Sequence, residues 1–179
     1  MKYFYSVLIL SLFSVAQAEE ARVGEITPEQ QQSVKTRVES LNSTAFSFGP
    51  AWAQDTNNSN MYYAFHLGRN FEASTNAEIR LGLDAAFAGE GSGNWWSGSL
   101  GAAYLFSTSD ISPLIGAEVG YGYAHIKDAS DARGFAVGGF AGVRFFRTST
   151  TQMSLEGFIQ SILDESDPTL SGVRVGILF

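Results

Sequence analysis

The sequence predicts an all-β fold, an eight-stranded antiparallel up-and-down β-barrel that crosses a membrane. Three observations carry this. From Thr44 to Phe179 large apolar residues alternate with small or polar ones at period two. That stretch divides into eight strand-length runs separated by turn-rich connections. Finally, nearly every large apolar side chain falls on one of the two faces so defined, the pattern of strands with lipid on one side. Composition agrees, because 45% apolar and 16% charged residues, with 14 Phe and 7 Tyr in 179, leave no room for disorder. No apolar run reaches the roughly 18 residues of a helical span. The absence of Cys excludes a disulfide scaffold and a Cys-rich zinc site. A net charge of −7 lacks the basic surplus that nucleic acid requires, so no nucleic-acid partner is expected.

Residues 1–18 read as a signal peptide. Lys2 supplies the positive start, Val7 to Val15 an apolar stretch too short to span a bilayer, and Ala16-Gln17-Ala18 a cleavage site before Glu19. Residues 19–43 form a polar N-terminal segment. Thr27, Pro28 and Gln30 make a helix start with Pro at the first position and a capping-box partner, which predicts a short helix over 28–41. Its apolar stripe is only Val34, Val38 and Leu41.

The barrel occupies 44–179, with strands expected at 44–53, 60–71, 75–87, 94–107, 111–125, 133–147, 150–163 and 169–179. Four connections, 54–59, 88–93, 126–132 and 164–168, read as long and polar. They alternate with three short turns near 72–74, 108–110 and 148–149, as in a meander whose two ends face different environments. The apolar parity includes Phe46, Phe48 and Trp52, then Tyr63, Phe65 and Leu67, and continues to Val173, Val175, Ile177 and Phe179. The other parity is small, polar or charged, for example Ser47, His66, Gly82, Ser97, Gly120, Gly138, Gln160 and Gly176. Eight strands enclose an interior just wide enough for side chains, so the small face belongs inside and the aromatic face in lipid. A soluble lipocalin-like barrel would invert this, packing the large side chains into that narrow interior. Pro50 calls for a bulge in the first strand, since a closed barrel has no edge to host a proline.

Phe135 and Phe145 share the outward face, and ten tilted residues cover roughly 26 Å, close to the apolar band of such barrels. Trp52, Tyr63, Phe87, Trp96, Tyr121, Tyr123 and Phe135 then form one aromatic girdle, and Phe46, Phe71, Phe106, Phe145 and Phe179 the other. With this pattern in place, the chain resembles the eight-stranded outer-membrane β-barrel proteins of Gram-negative bacteria, the group of the outer membrane protein A membrane domain, outer membrane protein X and the opacity proteins. The most specific element is the C-terminal alternation of Val173, Val175, Ile177 and Phe179, which looks like the signal read by the barrel assembly machinery. The resemblance implies a monomer in the cell outer membrane, in contact with its lipid and lipopolysaccharide. It departs from outer membrane protein A in ending at Phe179, with no peptidoglycan-binding domain after the last strand.

The inward charges His66, Glu78, Arg80, Asp84, Glu118, Arg144, Glu156 and Arg174 must pair, because isolated charges in a narrow interior are too costly. They read as an ion-pair network that plugs the lumen, or alternatively as the wall of a narrow channel for small solutes. Lipid A deacylases of similar size resemble this architecture and place a Ser two residues after a lipid-facing His. Here His125 is followed at that offset by Lys127 and His66 by Gly68, so no Ser-His-acid set is completed. The loop acids, among them Asp128, Asp131, Asp164 and Glu165, form no dense calcium-ligand pattern. The sequence therefore predicts a structural or surface-interaction barrel with no catalysis, no cofactor and no metal site.

Overall fold

A computed structural model describes residues 42–55, 58–88, 93–126, 131–165 and 167–179. The expected signal peptide and the helix over 28–41 lie outside the described residues. Eight strands follow in order: β1 (Asn42–Asp55), β2 (Asn58–Ser74), β3 (Ala77–Ala88), β4 (Gly93–Leu105), β5 (Ile111–Ile126), β6 (Ala132–Phe145), β7 (Gln152–Leu163) and β8 (Thr169–Leu178). Each pairs antiparallel with the next, and β8 closes on β1, so the sheet has no edge. Closure is sealed at Thr44 and Phe179, whose main-chain groups exchange hydrogen bonds of 2.7 and 3.0 Å.

The alternation of side chains follows the period-two pattern strictly. In β2 Met61, Tyr63, Phe65, Leu67 and Arg69 face out, while Tyr62, Ala64, His66, Gly68 and Asn70 are buried. The outward face is apolar over the whole band, from Phe135, 73% exposed, to Val175, 43% exposed. Such an exterior is stable against hydrocarbon and not against water. Ten members of the two expected girdles are among these outward rings, as is Phe179, whereas Phe145 is half-buried. The girdle rings also touch one another: Phe87 and Trp96 meet edge to face at 5.2 Å, and Tyr121 and Phe135 at 6.3 Å.

Two expectations need correction. The connections do not alternate simply between long and short. β1 and β2 continue pairing to Asp55↔Asn58, well into the stretch expected to be a loop, whereas the chain between β4 and β5 is five residues, 106–110. The difference between the ends reappears when measured from the outward aromatics. Eight, eight and eleven residues of sequence separate the outward side chains Trp52 and Met61, Phe87 and Trp96, and Tyr123 and Phe135 at what is here the upper end, against seven, four and seven between Phe71 and Ile79, Phe106 and Ile111, and Phe145 and Met153 at the lower. Strand pairing satisfies backbone groups as well above the bilayer as within it, so the hairpins carry on as ribbon.

Pro50 needs no bulge either. The β1–β2 register runs unshifted through Pro50↔Tyr63. On its other side the β1–β8 ladder skips Gly49 and Pro50 between Phe48↔Val175 and Ala51↔Gly172, without a change of register. The residue that lacks an N–H thus sits where a rung is missing. The strands stay close there, since a Cβ on Gly49 would lie 2.0 Å from the Val173 carbonyl oxygen. Among the described residues the one register shift falls between Glu72 and Ser74 at the lower end of β2.

Candidate functional site

The lumen is built in three layers. At the upper end Tyr62, Trp95, Ile162 and Leu170 are 2% exposed or less and pack with a ring of alanines that includes Ala51, Ala86 and Ala124. At the lower end Leu105, Leu114 and Phe140 form a second apolar layer, with Phe158 against both. Between and among them lie the eight charged or titratable residues singled out from the sequence, with Arg144, opposite Ser112, on the lower-turn side of Leu114.

Seven of those eight form one chain of contacts. Arg144 makes a two-pronged pair with Glu78, and Glu78 also faces Arg80 at 3.6 Å. Arg80 reaches Glu156 at 3.0 Å, and Glu156 accepts from Arg174 at 3.1 Å. Arg174 continues to Asp84 at 3.1 Å, and Asp84 Oδ1 lies 2.7 Å from His66 Nδ1. Three guanidinium groups and three carboxylates balance along this chain. Aromatic faces complete the shell of two of the cations, with Arg80 4.4 Å from the Phe140 ring centre and Arg174 5.1 Å from that of Phe158.

Glu118 stands apart from the expected network. It is buried in the same layer, yet it makes no ion pair among the described residues. Its two carboxylate oxygens accept instead from Ser99 Oγ and Gln160 Nε2, both at 3.3 Å. Gln160 in turn accepts from Trp95 Nε1 at 2.8 Å and from Ser97 Oγ at 2.9 Å, so the fourth carboxylate is tied to the upper apolar layer through neutral groups. Beside His66, Asp84, Glu118 and Arg174 a space of about 10 Å³ remains, close to the lower limit for a single water.

Sequence reasoning missed the two apolar layers. It described the inward parity as small or charged, but that parity also holds Tyr62, Trp95, Leu105, Leu114, Phe140, Ile162 and Leu170. A signal was present. Trp95 and Trp96 are adjacent in one strand, so one of them had to point inward.

The outward row Val173, Val175, Ile177 and Phe179 lies on the lipid face of β8, each residue at least 43% exposed. At the upper rim the structure joins residues the sequence left separate. His125 Nδ1 is 2.6 Å from Asp131 Oδ1, and Tyr123 donates to Asp131 Oδ2 at 2.9 Å. The His125 and Tyr123 hydrogen bonds hold the Asp131 carboxyl below the usual carboxylate range. The main-chain N–H groups of Arg133 and Glu165 do the same for Asp164. Among the described residues no Ser or Thr hydroxyl bonds to His125, and no cluster of three metal-ligating side chains occurs.

No protein-family model and no curated protein sequence matches the chain. Solved structures do. The barrel is similar to Neisserial surface protein A (NspA), with a TM-score of 0.67 at 14% identity over 76% of this chain and 95% of that one. It is also similar to the outer membrane enzyme PagL, with a TM-score of 0.51 at 14% identity over 76% and 98% of the two chains. The fold is therefore that of the small outer-membrane β-barrels: eight antiparallel strands, closed, with an apolar exterior and a filled lumen.

Proposed function

We propose that the protein is an integral outer-membrane barrel, a monomer with a structural or surface-interaction role and no catalytic activity. One observation carries this reading: the charged groups of the lumen are packed between an upper and a lower cluster of buried apolar side chains, and the space beside His66, Asp84, Glu118 and Arg174 is about that of one water. A path for solutes would require all three layers to open together. Contact with outer-membrane lipid and lipopolysaccharide follows from the apolar band and the projecting hairpins. Delivery by the barrel assembly machinery is proposed on the outward row Val173, Val175, Ile177 and Phe179, which supports that reading.

The test is electrical. Purified protein, folded and inserted into a planar bilayer, is expected to give no unitary conductance steps above those of the protein-free membrane. Regular steps of constant size would make a narrow channel the correct reading. Catalysis is tested separately by incubating the folded protein with lipopolysaccharide and weighing the lipid A by mass spectrometry. The mass is expected to stay unchanged, and loss of an acyl chain would overturn the non-catalytic assignment.

A further inference from the structure

Below the rim cluster of His125, Asp131 and Arg133, the outward face of the described strands carries one charged side chain, Arg69. It stands two residues from Phe71 in the lower aromatic girdle. Arg69 Nη1 donates to Thr44 Oγ1 at 2.8 Å, and among the described residues it makes no ion pair. A guanidinium has five N–H donors in a fixed fork, so a single neutral acceptor leaves most of them available to an anion.

From Arg69 and Thr44 an apolar trough of about 860 Å³ runs across the outer surface from β2 to β6. Its cause is Gly98. In that row Leu67 pairs with Leu83, Leu83 with Gly98 and Gly98 with Tyr121, so one outward side chain is missing between large neighbours. A Cβ at Gly98 would meet nothing closer than Leu83 Cδ2 at 3.6 Å. The trough crosses four inter-strand spacings, about 19 Å; with strands tilted about 40°, about 12 Å of that lies along the bilayer normal, so an acyl chain laid in it stays within the roughly 15 Å hydrocarbon thickness of one leaflet.

We propose that the trough seats one anionic glycerophospholipid of the periplasmic leaflet, its phosphate on Arg69 and Thr44 and an acyl chain laid over Gly98. The proposal rests on the outer-membrane reading above and gives it a defined lipid contact. Charge complementarity selects the occupant. The cation lies at the end with the shorter projections, which in barrels of this kind faces the periplasm, so phospholipid rather than lipopolysaccharide is within its reach. A second copy of the chain would present the same outward face, whose described strand residues below the rim include no acidic side chain, and so would supply no carboxylate for Arg69.

Native mass spectrometry of the full folded protein tests this, with phosphatidylglycerol and phosphatidylcholine of identical acyl chains added in detergent. The expected result is one phosphatidylglycerol retained in preference to phosphatidylcholine. Arg69→Gln should lower that preference about fivefold, the usual effect of one basic residue near an anionic headgroup, whereas Arg69→Lys should keep most of it. Gly98→Leu, which fills the trough, should reduce retention of both lipids. Equal retention of the two lipids by the unaltered protein, a preference that survives Arg69→Gln, or a protein dimer in place of the lipid adduct would each overturn the proposal. A wild-type protein without the heat-modifiable gel mobility of a folded barrel would instead count against the outer-membrane reading on which the proposal rests.

Discussion

Arg174 and Val175 are neighbours in β8, yet one is 3% exposed within the lumen and the other 43% exposed toward lipid. The two faces of the same strands are held by different physics. Outside, dozens of apolar side chains each add a small and nearly independent gain, so no single one is decisive. Inside, each charged group depends on one or two named partners, and an unsatisfied partner is left in a region of low dielectric. The exterior should therefore tolerate single losses that the lumen does not.

The largest effect expected from that difference is at Arg174. Arg174→Ala removes the ion pairs to both Asp84 and Glu156 together with the contact over the Phe158 ring. It should destabilise the barrel by about 3–5 kcal/mol, since the buried Glu156 keeps only Arg80 as counter-charge and Asp84 keeps only His66. The urea midpoint of unfolding in lipid vesicles measures this. A shift equivalent to under about 1 kcal/mol would mean that the lumen is as forgiving as the exterior, and the comparison would break.

Phe179 sharpens the other side of the comparison. It is 64% exposed on the outward face, and its removal takes away one apolar side chain, worth roughly 1.5–3 kcal/mol at most by burial, and two main-chain hydrogen bonds to Thr44, each worth about 1 kcal/mol net. Refolding into vesicles should therefore succeed. Insertion in cells should suffer much more, because the terminal aromatic is proposed to belong to the signal read during assembly. Surface levels of the intact and truncated proteins, compared at matched expression, check this. Equal levels would assign Phe179 a packing role only.

Much of this architecture was legible in the sequence because a membrane barrel obeys one simple rule along its whole length. Alternation places Phe65 outside and His66 inside with no knowledge of partners, and it brought all eight lumen residues into view. What alternation cannot give is which inward groups meet. Arg80 and Glu156 touch across the lumen from strands that are not neighbours in the sheet, and that distance depends on stagger, which no local pattern encodes. The same limit hid the two apolar layers. Tyr62, Leu105, Leu114 and Ile162 come from four strands and form layers only when the stagger brings them to the same heights. The extended β1–β2 ribbon was missed for a different reason, since polar residues such as Asn58 and Ser59 look like loop yet pair as strand once above the lipid.

Glu118 gives the smallest expected effect and the most discriminating one, because it tests whether lumen sensitivity comes from charge pairing or from burial alone. Its neighbours Glu78, Asp84 and Glu156 each face at least one guanidinium, whereas among the described residues Glu118 accepts from Ser99 and Gln160 alone. Glu118→Gln keeps the length of the side chain and one amide oxygen as acceptor. The Ser99 hydroxyl can turn to accept from the new amide nitrogen. The charge that is lost was not ion-paired, so stability should change by less than about 1 kcal/mol and could rise. Glu118→Ala is different. It leaves Ser99 Oγ and Gln160 Nε2 without an acceptor in a dry site, at about 1–3 kcal/mol for the unsatisfied groups. Urea midpoints should thus rank wild type and Glu118→Gln together, Glu118→Ala below them and Arg174→Ala lowest. If Glu118→Gln falls as far as Arg174→Ala, the fourth carboxylate is held by long-range attraction to the cations. The lumen would then act as one shared field of charge rather than as a chain of pairs.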